Sequence, residues 1–189
     1  LLKAGVDASD VIGGGLQGAL TLAATRNLSV ADSADAAAIA MQQFGLAGKD
    51  IPRIADLLAA GAGKATGEVS DFAGALNQAG LVASQFGLSI EETVGGLAAF
   101  ANAGLIGSEA GTSLRSMLSQ LAAPSNEAAQ LMKDLGISAY DASGEFVGLE
   151  NLAGQLKSQL ADLTPQQRDF AMATICGAYS VRAANVLYE

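Results

Sequence analysis

Histidine and tryptophan are absent from this 189-residue sequence, and cysteine occurs once. Without histidine the chain lacks the commonest general base and the commonest metal ligand. A single cysteine, Cys176, excludes an internal disulfide and fits synthesis in a reducing place. Charge is scarce as well. Asp, Glu, Lys and Arg make up 15% of the residues, against about 25% in an ordinary soluble domain. A surface so poor in charge is expected to expose apolar area that a partner covers. Aromatics are only 5% of a chain that is 50% apolar, so Ala, Leu and Gly supply most of the core. Such residues let helices approach closely but fill little volume, which predicts thin layers instead of one deep core.

Positive charge is the scarcest kind. Ten Lys and Arg face 19 Asp and Glu, for a net charge of −9. The ten are scattered (Lys3, Arg26, Lys49, Arg53, Lys64, Arg115, Lys133, Lys157, Arg168 and Arg182) and form no patch in sequence. Phosphate-backbone binding needs clustered basic residues, so no specific nucleic-acid binding is expected. An acidic chain is compatible instead with lining a passage along which nucleic acid slides. No basic segment precedes an apolar stretch as in a signal peptide. No apolar run reaches the roughly 18 to 20 residues of a membrane span. The sequence opens Leu1-Leu2-Lys3 without an initiator Met and stops at Tyr188-Glu189 inside an expected helix, so both ends read as cut from a longer chain.

What is present is a succession of helix signals. Ser29 with Asp32 reads as an N-cap with an acidic first turn, ahead of a helix from Ala34 to Phe44 that Gly45 stops. Asp50 is expected to cap the next helix, with Pro52 in its first turn, an apolar stripe at Ile51, Ile54, Leu57 and Leu58, and a break at Gly61-Ala62-Gly63. Ser70 or Asp71 starts a third helix through Phe72, Leu76 and Leu81. Ser89-Ile90-Glu91-Glu92 has the spacing of a capping box, and its helix ends at Gly104. Gly107-Ser108 restarts helix through Leu114, Met117, Leu118 and Leu121. Pro124 ends that helix or begins the next, and Ser125 can cap Glu127 to Leu135 before Gly136.

One stretch reads as strand. Ile137 to Tyr140 and Glu145 to Val147 flank the turn-like Asp141-Ala142-Ser143-Gly144, which predicts a small β-hairpin over 137–147. Leu149, Leu152, Leu156, Leu160 and Leu163 then form a helical stripe. Thr164-Pro165-Gln166-Gln167 is a strong start signal for a last helix running past Tyr188, with Gly177 as its soft point. The expected fold is therefore mainly α: a multi-helix bundle of short, glycine-broken helices with one small hairpin. Its parts are a helical, Gly-rich connector at 1–27, helical hairpins at 28–136, and the β-hairpin with two helices at 137–189. Leu28-Ser29-Val30 with Gly45-Leu46-Ala47-Gly48 echoes Leu88-Ser89-Ile90 with Gly104-Leu105-Ile106-Gly107. That echo reads either as two related helical hairpins or as coincidence in an Ala/Gly-rich sequence.

Candidate chemistry is thin. Gly13-Gly14-Gly15 with Gly18 lacks the Lys-Ser or Lys-Thr that ends a phosphate loop, so it reads as a hinge or close helix contact. Gly95-Gly96 reads as a place where another backbone approaches. Glu91-Glu92 lies in a helix's opening turn, where the macrodipole favours carboxylates, and Asp141 with Glu145 belongs to a turn. Neither makes a hydrolytic dyad. Cys176 has no His partner and reads as packing. The charge-free stretches Phe72 to Ile90 and Val94 to Gly107 are expected to lie buried between helices, with membrane insertion as the alternative. No catalytic, cofactor-binding or metal-binding residue is assigned, and no enzyme is expected.

The most specific string is Gly104-Leu105-Ile106-Gly107-Ser108-Glu109-Ala110-Gly111-Thr112-Ser113-Leu114-Arg115. It resembles the signature of the core region of phage tail tape measure proteins. Ser89-Ile90-Glu91-Glu92 before it, Leu118 to Pro124 after it, and Leu135-Gly136-Ile137 with Asp141-Ala142-Ser143-Gly144 follow in the family's order. Cys176-Gly177 stands where family members usually carry Phe-Gly, a departure at one packing position. The resemblance covers roughly Val30 to Leu187. It implies a structural virion protein in the tail tube lumen or tail tip, made in the host cytoplasm. Such a protein acts in tail assembly, tail length determination and genome ejection. Implied partners are copies of itself, most simply a trimer, tail tube and tail-tip proteins, and the host membrane if the alternative holds. The wall-degrading domain that some members carry is not expected here.

Overall fold

The computed structural model describes residues 1–26 and 28–189. Among these residues ten helices of eight residues or more follow one another, with no strand. They are α1 (Leu16–Arg26), α2 (Val30–Gln43), α3 (Ile51–Lys64), α4 (Val69–Gln85), α5 (Ile90–Asn102), α6 (Gly107–Ala122), α7 (Asn126–Leu135), α8 (Leu149–Gln159), α9 (Pro165–Cys176) and α10 (Val181–Tyr188). Two short helical turns, Leu2–Ala4 and Ala8–Asp10, and a π-turn over Val11–Gly15 lead into α1.

Local hydrogen bonding sets most of the ends. The hydroxyls of Ser29, Ser89, Ser125 and Thr164 each accept the N–H three residues on, from Asp32 (3.0 Å), Glu92 (3.0 Å), Ala128 (3.1 Å) and Gln167 (3.4 Å). Each satisfies an orphan donor of a first turn. The Thr164 box closes from both sides, because the Gln167 side chain accepts the Thr164 N–H at 3.0 Å. The Ser89 box closes from one side only. The Glu92 carboxylate turns away and accepts the Leu149 N–H at 2.8 Å, capping α8 from far along the chain. Asp50 also differs from expectation. Its carboxylate accepts the Ala47 N–H at 3.0 Å, inside a 3-10 turn that precedes α3.

The two echoed segments end alike. Leu46 donates to the Met41 carbonyl and Leu105 to the Phe100 carbonyl, both at 2.9 Å, across Gly45 and Gly104 in the left-handed region. However, α4 and α7 stop by the same bond, from Leu88 to Ala83 (3.0 Å) and from Ile137 to Met132 (2.8 Å). The echo is thus a stop that this fold uses repeatedly, and it does not by itself mark a duplicated hairpin.

One continuous apolar cluster runs from Val6 through Ala184. Phe72 and Phe100 are its largest fully buried side chains; Leu, Ile, Met and Ala supply the rest. Small residues let the helix axes close up. A Cβ placed on Gly111 of α6 would lie 2.1 Å from the carbonyl oxygen of Ala75 in α4, so these two backbones touch. Gly18 of α1 sits over the backbone of Pro52 in α3, whose Cα would be 2.8 Å from an added Cβ. The Gly61-Ala62-Gly63 break does not occur, and α3 continues to Lys64. Gly61 and Ala62 are buried there, with Val94 and Phe72 against Gly61, and this packing outweighs the weak propensity of glycine.

The predicted β-hairpin at 137–147 is not formed. Among the described residues the pairing amounts to one isolated antiparallel bridge, Tyr140 to Phe146, with the Asp141 N–H donating to the Glu145 carbonyl (2.9 Å) and the Val147 N–H to the Ala139 carbonyl (3.0 Å). The turn itself is held locally: Asp141 Oδ1 accepts from the Ser143 N–H (2.8 Å), the Ser143 hydroxyl (2.6 Å) and the Glu145 N–H (3.0 Å). Before the turn, Gln155 of α8 takes both backbone groups of Ser138, at 2.7 and 2.9 Å, so no ladder extends. The single last helix is also corrected. It breaks at Gly177, and α9 and the segment from Ala178 to Tyr188 meet at a bend of 111°.

Candidate interaction surface

The features singled out as possible chemistry are mostly absorbed by the packing. Gly14 stands at φ 139°, inside the π-turn that offsets α1, and Gly15 is buried. No phosphate cradle forms there. Gly96 receives the Leu149 side chain, whose Cδ1 would be 2.8 Å from a Cβ, while Gly95 faces open space. Of the acidic pairs, Glu91 binds the exposed guanidinium of Arg53, and Glu92 caps α8. Asp141 is held below the usual carboxylate range by the Ser143 hydroxyl first and then by the Glu145 amide. Among the described residues no three His, Cys, Asp or Glu side chains converge as a metal site would require.

Cys176 is fully buried, and burial pushes its thiol up to about 12. The thiolate is the reactive form, so native protein is expected to resist thiol reagents that label it quantitatively once unfolded. The linkage has a definite sign. An unfolded thiol ionises from its ordinary value of 9.0, whereas the folded one stays protonated to about 12. The contribution is whole below pH 9 and is lost as pH rises towards 12, by about 1.4 kcal/mol per unit at most. Urea midpoints at pH 8 and 10.5 should therefore diverge more for the parent chain than for Cys176→Ala.

The charge-free stretches each turn one face into the bundle, while Leu81 and Ile106 stay exposed. Phe72, Ala75, Leu76, Ala79, Gly80 and Ala83 of α4 are buried, as are Val94, Leu97, Phe100 and Ala101 of α5. Among the described residues no single helix is long and apolar enough to cross a membrane; α9 and α10 pass that test only as a bent pair.

Two exposed patches are mainly apolar. Ile12 (87% exposed), Leu16 (47%) and Leu20 (40%) stand four residues apart on the outer face leading into and along α1. At the far end of the chain Phe170 is 57% exposed and borders a groove of about 380 Å³ with Leu131, Leu135 and Leu163. Neither surface brings an acid and a base together. Exposed apolar area of this kind is typical of surfaces that take part in contacts. Sequence reading anticipated exposed apolar area but not its location, since the outward face of α1 depends on how Gly18 seats that helix on α3.

The chain belongs to the family described as phage-related minor tail protein, whose family model matches residues 1–177. It is also 36% identical, over all 189 residues, to the tape measure protein of Pneumococcus phage Dp-1. The chain spans 16% of that relative's length. It corresponds to a region of a phage tail tape measure protein. No solved structure matches it.

Proposed function

We propose that this region is a folded, non-catalytic module of the tape measure chain that serves tail assembly and genome ejection, while the length-setting rod is supplied by other parts of that chain. The observation that carries this reading is the compact fold. A continuous helix of this many residues would extend about 280 Å, whereas here the chain is folded back on itself through close contacts such as Gly111 on Ala75. The exposed apolar faces near Leu16 and Phe170 are suited to copies of the chain, most simply three, and to tube or tip subunits. In this reading the module sits in the tube lumen or at the tip. Its core is rich in Ala and Gly and poor in rings, so it stores little stability per residue and yields when the chain is drawn through a narrow tube.

The test is tail length by electron microscopy in phage whose tape measure gene lacks this region in frame. We expect either no tails, or tails of normal length that fail to deliver DNA. Tails shortened by roughly 1.5 Å per deleted residue would mean that the region lies extended as part of the ruler, and would overturn the proposal.

A further inference from the structure

From Thr164 onward the sequence reads as one helix, yet the fold bends it through 111° at Gly177. Thr164 and Gln167 close a full capping box at the start. Beyond Pro165 no proline follows, and Gly177 is the only glycine before Tyr188. The interruption rests on that residue alone, at φ 85° and ψ 146°, followed by a 3-10 turn over Ala178–Ser180. The helical bond into the break survives, because the Gly177 N–H still donates to the Ala173 carbonyl at 3.1 Å. Tyr179, on the outer side of the corner, is 91% exposed and contributes nothing to holding the bend.

What holds it lies further on. The buried Ser180 hydroxyl donates to the Ser113 carbonyl of α6 at 3.1 Å. Arg182 pairs with the Glu109 carboxylate and reaches the Gly104 carbonyl at 3.4 Å. Ala183 and Ala184 are fully buried. Tyr188 folds back so that its ring lies 4.8 Å from the Arg168 guanidinium of α9. Apart from the local bond from the Ser180 N–H to the Gly177 carbonyl (2.9 Å) in the 3-10 turn, the restraints described on α10 are tertiary, while the local sequence favours a straight helix. Local preference and global fold disagree at one residue, and that residue can adopt either backbone state without strain.

We propose that α10 is a releasable strap: when its contacts with α6, and with α8 where Lys157 donates to the Glu189 carbonyl at 2.6 Å, are lost, Gly177 rotates into the right-handed region and Pro165–Tyr188 becomes one continuous helix. The bent form prevails while α10 has the core to cover. Loosening the core removes that advantage and leaves the helical preference of the segment unopposed. Opening converts a folded-back end into a rod of about 36 Å, and it uncovers α6, the helix that crosses α4 most closely. The device is a property of the chain itself and holds whether or not the region acts at the tail tip.

The experiment is a spin-label distance measurement on the full chain carrying Gln167→Cys and Glu189→Cys. Native Cys176 is buried and stays unlabelled. Two arms meeting at this bend place the labels about 20 Å apart, and a straight helix places them about 33 Å apart. The otherwise unaltered chain should show the shorter distance. Adding Gly177→Ala with Ser180→Ala and Arg182→Ala should raise the population at the longer distance at least tenfold. A distance fixed near 20 Å in that variant would overturn the proposal. So would a broad distribution without a peak near 33 Å, since α10 would then simply detach and unfold. Should the triple variant not fold, the otherwise unaltered chain in rising urea decides the matter. The longer distance must appear before the global transition, and its absence there overturns the strap.

Discussion

Gly111→Ala is expected to destabilise the protein by about 3 kcal/mol, the upper end for overpacking, and to lower its melting temperature by roughly 6–12 °C. Alanine is normally the better helix former, so propensity alone predicts the opposite sign. The fold reverses it because the new methyl would lie 2.1 Å from the Ala75 carbonyl oxygen and 2.8 Å from the Ala75 Cα. These are backbone atoms of a neighbouring helix, and no side-chain rotation can clear them. The helices α4 and α6 must move apart, which loosens the apolar contacts along both. Gly95→Ala and Gly154→Ala are the controls. Both glycines are helical, neither has a positive φ, and nothing lies within 4 Å of an added Cβ. Each should stabilise by about 0.5–1 kcal/mol. Thermal denaturation of the three variants checks the claim, and a neutral Gly111→Ala would mean that the α4–α6 crossing is looser than described.

Phe100→Ala should be at least as damaging, at about 3–5 kcal/mol. Phe100 is completely buried, and only Phe72 matches it among the largest side chains of the core. A core otherwise filled by Ala, Leu, Ile and Met has little ring volume to shift into the hole, and the surrounding helices are already in close contact at their glycines. Phe100 also stands at the end of α5, where its carbonyl accepts the Leu105 N–H that terminates the helix. Loosening this residue therefore weakens the stop as well as the packing. Phe100→Leu keeps most of the volume and should cost only about 1–2 kcal/mol. Urea unfolding of both variants gives the comparison. Equal losses would show that the site is not close-packed.

Both residues lie in or beside the segment that carries the family resemblance, and the packing explains why that segment reads as it does. Gly104 turns the chain out of α5, Leu105 is buried behind it, and Gly107 opens α6. Gly111 then meets Ala75, while Ser113 offers its carbonyl to Ser180. The signature is a recipe for one helix crossing and its attached strap.

The candidate surface was legible in part. Low charge and an Ala-rich core announced exposed apolar area, because too few charged groups exist to cover the surface. Nothing local marked Leu16 or Phe170 as outward, since each sits in a run where neighbours of similar character are buried. A helix's outward face is fixed by what its inward face meets, and for α1 that partner is α3, more than twenty positions further on in the sequence.

The sequence by itself determined the helices and most of their ends. Caps at Ser29, Ser89, Ser125 and Thr164, and stops at Gly45, Gly104 and Gly136, all depend on bonds between residues three to five apart, so a short window contains every participant. Tertiary structure alone decided the continuation of α3 through Gly61, the turn of the Glu92 carboxylate towards α8, the missing hairpin and the bend at Gly177. In each of these the deciding partner is distant in the chain: Val94 and Phe72 for Gly61, Leu149 for Glu92, Gln155 for Ser138, Ser113 and Glu109 for the strap. A local preference of about 1 kcal/mol sets the structure only until a long-range contact of similar or greater strength opposes it.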